Sequence, residues 1–157
     1  MGATTIWERW DGIKQDGSFQ TTDMNSFNHY AYGAIGDWMY RVMAGLDTDE
    51  SAPGYKKVKI APRPGGNITH AAAQLETMYG LTVSDWKIEN GIFKLKVVIP
   101  ANATAEIRLP IAADTRITES GTELNAVKGI GKISSQGKDI EFNIGSGTYQ
   151  FEYPIKL

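Results

Sequence analysis

Asn90-Gly91 separates two runs in which apolar and polar residues alternate, and this pattern limits the possible folds more than any other feature of the sequence. An Asn-Gly pair favours a two-residue β-hairpin turn, because both residues tolerate a positive φ. The returning run, 92–99, has three apolar residues on one face, namely Phe93, Leu95 and Val97. In the outgoing run, 81–88, we expect the inward-pointing side chains to be Leu81, Val83 and Trp86. The sequence therefore predicts an antiparallel hairpin with one buried face.

Strand-like runs continue towards the carboxyl end of the chain. The other candidate strands cover residues 58–60, 69–79, 105–109, 115–118, 126–133, 139–144 and 147–154. Strands at roughly 8–12-residue spacing, with turn residues between them, are typical of an antiparallel sandwich rather than a parallel α/β sheet. The sequence therefore predicts a mainly β fold, an antiparallel β-sandwich of jelly-roll or Greek-key type.

A different pattern precedes the strands. Ser26 is a suitable N-cap, and Gly45 a suitable stop, for one long α-helix over residues 27–44. The helix has a broad apolar face, and its opposite side carries the small residues Gly33 and Gly36. A helix that is apolar or small around most of its circumference needs neighbours on several sides. We therefore expect it to be the remnant of a larger helical domain.

These two patterns suggest a division of the chain. Residues 1–46 would form the end of the helical domain, residues 47–54 a polar linker, and residues 55–157 the β-sandwich. A domain of about 100 residues can bury a core of its own, so we expect the sandwich to be independently stable.

Composition excludes several classes of function. The net charge is −2 and basic residues do not cluster, so the sequence shows no surface suited to nucleic acid. No apolar run approaches the ~20 residues that a membrane-spanning helix needs. Cysteine is absent, and the two histidines, His29 and His70, lie in different structural regions. We therefore expect neither a metal site nor a cofactor.

Glu8 is the first candidate for catalysis. It lies between two indoles, Trp7 and Trp10, and an apolar setting suits a carboxyl group to proton transfer. Aromatic faces also pack against the C–H surfaces of sugars, so a carboxylate beside indoles is typical of a glycoside site. The alternative is a surface segment, Glu8-Arg9, in which only the indoles are buried.

His29 lies near the start of the predicted helix. There a neutral imidazole can hydrogen-bond a ligand hydroxyl, or it can simply cap the helix or belong to the core. A second aromatic group, in the β-region, could form either a sugar-binding platform or part of the core. Its members are Trp86, Phe93, Tyr149, Phe151 and Tyr153, and their alternation favours the core.

Two amino-terminal motifs carry a resemblance to a known family. Ala3-Thr4-Thr5-Ile6-Trp7-Glu8-Arg9-Trp10-Asp11 and Ser26-Phe27-Asn28-His29-Tyr30-Ala31-Tyr32-Gly33 resemble the end of the catalytic domain of bacterial α-L-rhamnosidases, glycoside hydrolase family 78. The later motifs Lys59-Ile60-Ala61-Pro62 and Tyr79-Gly80-Leu81 are similar to that family's C-terminal β-sandwich. The resemblance covers essentially the whole chain.

The resemblance implies a role for four residues. Family members hydrolyse terminal α-L-rhamnose with inversion, in an (α/α)6 barrel whose last helix would be residues 27–44. Glu8 would be the general base and His29 a rhamnose contact, while Trp7 and Trp10 would be pocket walls. The general acid would lie in an earlier barrel segment.

From this we expect the partners to be the rest of the barrel and a rhamnose-containing glycan or glycoside. We also expect the segment alone to be inactive, and the intact enzyme to be periplasmic or extracellular. Two other interpretations remain open: a stand-alone carbohydrate-binding module, and a purely structural interaction domain. Burial of Trp86 and Tyr149 would favour a scaffold over a binding module.

Overall fold

The computed structural model describes residues 2–113 and 115–156. The chain divides into two compact units, Met1–Trp38 and Met39–Leu157. The first unit contains the amino-terminal candidate residues, and the second contains the strands described below. In the described part of the chain, no helix is both long enough and apolar enough to cross a membrane.

The helical segment is irregular. It begins as a 3-10 turn at Tyr30–Tyr32, continues as an α-helix, α1, at Gly33–Trp38, and ends as a π-helical turn at Met39–Met43. The predicted start at residue 27, with Ser26 as N-cap, was wrong. His29 is the N-cap, because Ser26 and His29 are hydrogen-bonded to residues 6–8 and so cannot join the helix. The predicted stop is confirmed, since Gly45 follows the last turn with a φ of 76°.

Eleven strands are found among the described residues. They are β1 (Leu46–Thr48), β2 (Lys57–Ile60), β3 (His70–Thr77), β4 (Gly80–Glu89), β5 (Ile92–Ile99), β6 (Thr104–Leu109), β7 (Thr118–Glu119), β8 (Thr122–Glu123), β9 (Ser134–Gln136), β10 (Asp139–Ile144) and β11 (Gly147–Pro154). One sheet has the order β1-β2-β6-β10-β9, and the other has the order β3-β4-β5-β11-β7-β8. Both sheets contribute to one hydrophobic core. The predicted mainly β sandwich is confirmed, with one departure: β2 and β6 pair in parallel.

The hairpin at the centre of the second sheet forms as predicted. Glu89 and Ile92 face each other across the turn. Asn90 and Gly91 have φ values of 51° and 74°, which is the backbone conformation that a tight hairpin turn requires. On β5 the predicted inward residues are fully buried; they are Phe93, Leu95 and Val97.

On β4 the prediction was wrong for two of the three inward residues. Side chains alternate between the two faces of a strand, so Trp86 cannot share a face with Leu81 and Val83. The structure buries the even-numbered positions, Thr82, Ser84 and Trp86, and leaves Leu81 exposed. The large indole determines the choice, because its burial removes the most apolar surface from water.

Three other segments differ from the sequence expectation. Residues 126–133 form no strand, because two glycines interrupt them; a 3-10 turn at Leu124–Ala126 precedes this segment, and β9 follows it. The strand expected at 115–118 is found at Thr118–Glu119. Leu46–Thr48 pairs with β2, so the first residues of the expected linker belong to a strand. The division into 1–46, 47–54 and 55–157 stays a prediction.

Candidate active site

Two segments of the first unit, 5–8 and 26–29, are joined by hydrogen bonds. The Glu8 N–H donates to the Ser26 carbonyl at 2.8 Å, and the His29 N–H donates to the Ile6 carbonyl at 2.8 Å. The Thr5 hydroxyl donates to the carbonyl oxygen of Phe27 between them. The pairing places Glu8 and His29, which are distant in sequence, on two adjacent segments. We call these two paired segments the clip.

The carboxylate of Glu8 is fixed by the clip itself. Its Oε2 accepts a hydrogen bond of 3.0 Å from the Ser26 N–H, so Glu8 and Ser26 contact each other through two bonds. The residue is otherwise exposed. Its second oxygen, Oε1, accepts no hydrogen bond from the residues that the structure describes. A carboxylate that is held at one oxygen and open at the other can take a proton from a bound water.

His29 caps the start of the helical segment. Its Nδ1 accepts a hydrogen bond of 3.2 Å from the Ala31 N–H, and its ring stacks on Tyr30 with a centroid distance of 5.4 Å. A neutral imidazole has one donor and one acceptor nitrogen. Because Nδ1 accepts, Nε2 carries the hydrogen and can donate to a ligand oxygen. The capping role and a ligand-binding role are therefore compatible.

The two predicted tryptophans border one open cavity. It has a volume of about 290 Å³ and is lined by Ala3, Thr5, Ile6, Trp7, Trp10 and Tyr32. Trp7 is half-buried, whereas Trp10 is 96% exposed. Glu8 and His29 do not line this cavity. The structure therefore brings the four predicted residues into one unit, with the indoles around the cavity and with Glu8 and His29 on the clip.

The ring of Phe27 packs against Trp7, one of the two tryptophans that line the cavity. The contact is edge-on at 5.1 Å, and the Phe27 ring lies 5.9 Å from the ring of Phe19. Gly12 gives the ring room, because a Cβ on Gly12 would lie 2.9 Å from the Phe27 ring. Arg9 and Gln20 close the same loop through a hydrogen bond of 3.0 Å.

Unit 1 has almost no interior. Among the described residues from 2 to 38, Gly12 alone is buried. Large apolar side chains are instead exposed; they include Trp10, Phe19, Met24, Tyr30, Tyr32, Ile35 and Trp38. Many large exposed apolar side chains within so short a segment indicate a site of contact with another structure.

The β-sandwich does not present an aromatic platform. Trp86, Phe93, Phe151 and Tyr153 are buried, and Tyr149 is packed against them. Burial raises the pKa of the Tyr153 hydroxyl, which donates to the Pro110 carbonyl at 2.7 Å. These residues belong to the core, which confirms the interpretation that their alternation favoured.

The outer face of the second sheet carries a shallow cavity of about 580 Å³, and most of the residues that line it are charged or polar, with Phe151 the one phenyl or indole ring among them. Its ionisable groups include two close pairs, His70 with Asp85 at 3.1 Å and Lys87 with Glu89 at 2.9 Å. Within the described residues, no group of three or more His, Asp or Glu side chains is arranged to hold a metal ion.

Sequence reasoning missed three residues of the site. Thr5 and Ser26 act through bonds between side chain and backbone across about 20 residues, and no periodic pattern indicates such bonds. Tyr32 completes the cavity beside Trp7 and Trp10. Its sequence position gave no usable signal, because His29, three residues earlier, does not line that cavity.

Comparison with known proteins gives matches over most of the chain. Residues 1–43 match the bacterial alpha-L-rhamnosidase six-hairpin glycosidase domain, and residues 45–123 match the bacterial alpha-L-rhamnosidase C-terminal domain. An alpha-L-rhamnosidase of Streptomyces avermitilis is 42% identical over 151 residues, which is 96% of this chain and 14% of that protein. An alpha-L-rhamnosidase of Formosa agariphila is 40% identical over 157 residues, 100% of this chain and 17% of that protein.

A solved structure supports the same assignment. The crystal structure of Streptomyces avermitilis alpha-L-rhamnosidase complexed with L-rhamnose superposes with a TM-score of 0.74 at 39% identity, covering 99% of this chain and 14% of that one. The chain thus spans about one sixth or less of the length of these relatives. The chain belongs to the bacterial α-L-rhamnosidase family, and it corresponds to the end of the family's glycosidase domain together with its C-terminal domain.

Proposed function

We propose that these residues are part of an inverting α-L-rhamnosidase that removes terminal rhamnose from glycans or glycosides. The observation that supports this most directly is the clip, which holds Glu8 and His29 on paired segments. Both residues lie in the stretch that matches the family's glycosidase domain.

In this proposal Glu8 is the general base. As a water oxygen attacks the anomeric carbon, one of its protons passes to the Glu8 carboxylate, and the bond from that carbon to the leaving oxygen breaks while that oxygen takes a proton from the general acid. His29 donates from Nε2 to a hydroxyl of the sugar, because its Nδ1 is occupied by the Ala31 N–H. Trp7 and Trp10 form walls against the apolar face of the sugar.

We further propose that these 157 residues have no hydrolytic activity alone. Inversion requires a general acid and a general base whose carboxyl groups are ~6.5–9.5 Å apart, one on each side of the scissile bond. Glu8 supplies the base, and the resemblance to the family assigns the acid to an earlier segment of the barrel. Incubation of the chain with 4-nitrophenyl α-L-rhamnoside should release no nitrophenol above the rate in buffer.

The role of Glu8 can be tested in a chimaera. The chain would replace the matching 151 residues of the Streptomyces avermitilis relative, and Glu8→Gln should then lower kcat by roughly 10²–10⁴-fold, the usual worth of general base catalysis. Asp11→Asn is the matched control, because Asp11 is also an exposed carboxylate of the same segment. A Glu8→Gln chimaera with unchanged kcat would show that another group activates the water.

A further inference from the structure

At the end of the last helical turn, Met39–Met43, four consecutive carbonyl groups accept hydrogen bonds from other residues of the second unit, which contains the turn itself. Val42 accepts from the Arg63 N–H at 3.1 Å, and Gly45 accepts from the Ala61 N–H at 2.8 Å. Met43 accepts from the Trp86 indole N–H at 2.8 Å, and Ala44 accepts from the Ser84 hydroxyl at 2.7 Å. Carbonyl groups at the end of a helix have no partner within the helix. The four donors supply those missing partners, and we call them the helix clamp.

Two of these donors are side-chain groups that solvent does not reach. Ser84 and Trp86 are fully buried on the inward face of β4. Because they are two residues apart on a strand, both point to the same side. That spacing matches the consecutive carbonyls of Met43 and Ala44. The Ser84 hydroxyl and the Trp86 indole N–H are thus directed at the end of the helical segment.

The clamp also fits the helix end closely. Gly45 has a φ of 76°, and a Cβ placed there would lie 2.1 Å from the Pro62 nitrogen. Ala44 and Leu46, on either side of Gly45, are both buried. The chain therefore approaches the 61–63 segment so closely that a side chain at residue 45 has no space.

We propose that the sandwich serves as a receptor for the carboxyl end of the helical segment, the turn Met39–Met43, with Ser84 and Trp86 as the residues that recognise it. The helix turn, Met39–Met43, lies in the stretch matched by the glycosidase domain, and all four donors lie in the stretch matched by the C-terminal domain. This gives the C-terminal domain a function that does not depend on carbohydrate. Trp86 is the largest buried aromatic side chain, and its N–H is already used by Met43.

Hydrogen exchange on the full chain tests the proposal. Ser84→Ala removes one donor, and exchange of the amides from 42 to 46 should accelerate by about 10- to 100-fold, as the loss of one buried hydrogen bond implies. Exchange in the distant pair β6–β10 should accelerate by no more than the same factor, through the accompanying loss of global stability. Thr82→Val is the matched control, because Thr82 lies on the same inward face but donates no hydrogen bond to the described residues; it should not accelerate exchange of the 42–46 amides.

A second measurement needs no substitution. The indole N–H of Trp86 should exchange as slowly as the most protected strand amides, since it is buried and hydrogen-bonded. No acceleration at residues 42–46 in Ser84→Ala, or acceleration confined to strands that do not contact these residues, would overturn the clamp. Rapid exchange of the Trp86 indole in the unmodified chain would also overturn it.

Discussion

Thr82 should limit the stability of the sandwich, because its hydroxyl is buried without a partner. The residue is fully buried on the inward face of β4, and its Oγ1 makes no hydrogen bond to any described residue. Its neighbour on the same face, Ser84, donates to Ala44 at 2.7 Å. The two hydroxyls therefore occupy similar apolar surroundings and differ in whether they are paired.

The expected effect of Thr82→Val follows from that difference. Burying an unpaired hydroxyl costs about 1–3 kcal/mol in proteins. Valine has nearly the same shape as threonine and suits a strand, so the substitution removes the cost without leaving a void. We expect the free energy of unfolding to rise by about 1 kcal/mol. For a protein of this size that corresponds to an increase in Tm of about 2–4 °C.

Urea denaturation followed by far-ultraviolet circular dichroism measures this change. Ser84→Ala is the matched comparison, and it should lower the free energy of unfolding by about 1–3 kcal/mol, because it leaves the Ala44 carbonyl without its donor. The signs of the two effects should thus be opposite. If Thr82→Val destabilised the chain by as much as Ser84→Ala, the Thr82 hydroxyl would have a stabilising partner, such as a trapped water, and the reasoning would fail.

Two further predictions concern a buried ion pair and a tight turn. The Lys57 ammonium, at 2.8 Å, and the hydroxyl and N–H of Ser51 hold the pKa of Asp49 well below its ordinary value; the stability that Asp49 contributes is therefore present at neutral pH and lost as the pH falls below about 4. Asp49→Asn should be less stable than the unmodified chain at pH 7, with a difference that shrinks on acidification, whereas the exposed neighbour variant Glu50→Gln should show neither effect in thermal melts from pH 7 to pH 2. Gly45→Ala should cost about 2–5 kcal/mol, because strain at positive φ adds to a collision with the backbone. Gly91→Ala, with nearly the same φ but open space around it, should cost only about 1–2 kcal/mol in the same melts, and equal losses would contradict the role of the Pro62 contact.

The sequence predicts those parts of the fold that depend on local periodicity. The Asn90-Gly91 hairpin and the buried face of β5 are local features, and both form as predicted. Leu81 and Val83 were expected to point inward because apolar side chains are usually buried. A strand with one buried face, however, buries either its odd-numbered or its even-numbered positions, and β4 buries the even-numbered ones. The indole of Trp86 determines which positions are buried, because its burial removes the most apolar surface from water, and the partner of its N–H, Met43, is 43 residues away. Local sequence does not contain that information.

The candidate site, too, could be predicted only as far as it depends on local sequence. Glu8 and His29 can be identified from residue type and setting alone, but the clip that joins them depends on backbone bonds between 5–8 and 26–29. Those bonds also displace the start of the helix from 27 to 30, because Ser26 bonds to Glu8 instead of capping the helix. One distant pairing thus explains both the juxtaposition of the candidate residues and the error in the helix boundary.

The distribution of burial connects the two proposals. The strands bury a continuous core. The clamp also provides hydrogen-bond donors for the carbonyl groups of residues 42–45, at the end of the helical segment. Residues 2–43 bury little and expose large aromatic side chains. A surface of this kind is stable in water only when something covers it. Since the relatives are six to seven times longer than this chain, we expect the remainder of a helical barrel to cover the first unit. If Glu8 is the general base, as proposed, we expect it to be effective only when the covering segments exclude bulk water and supply the acid.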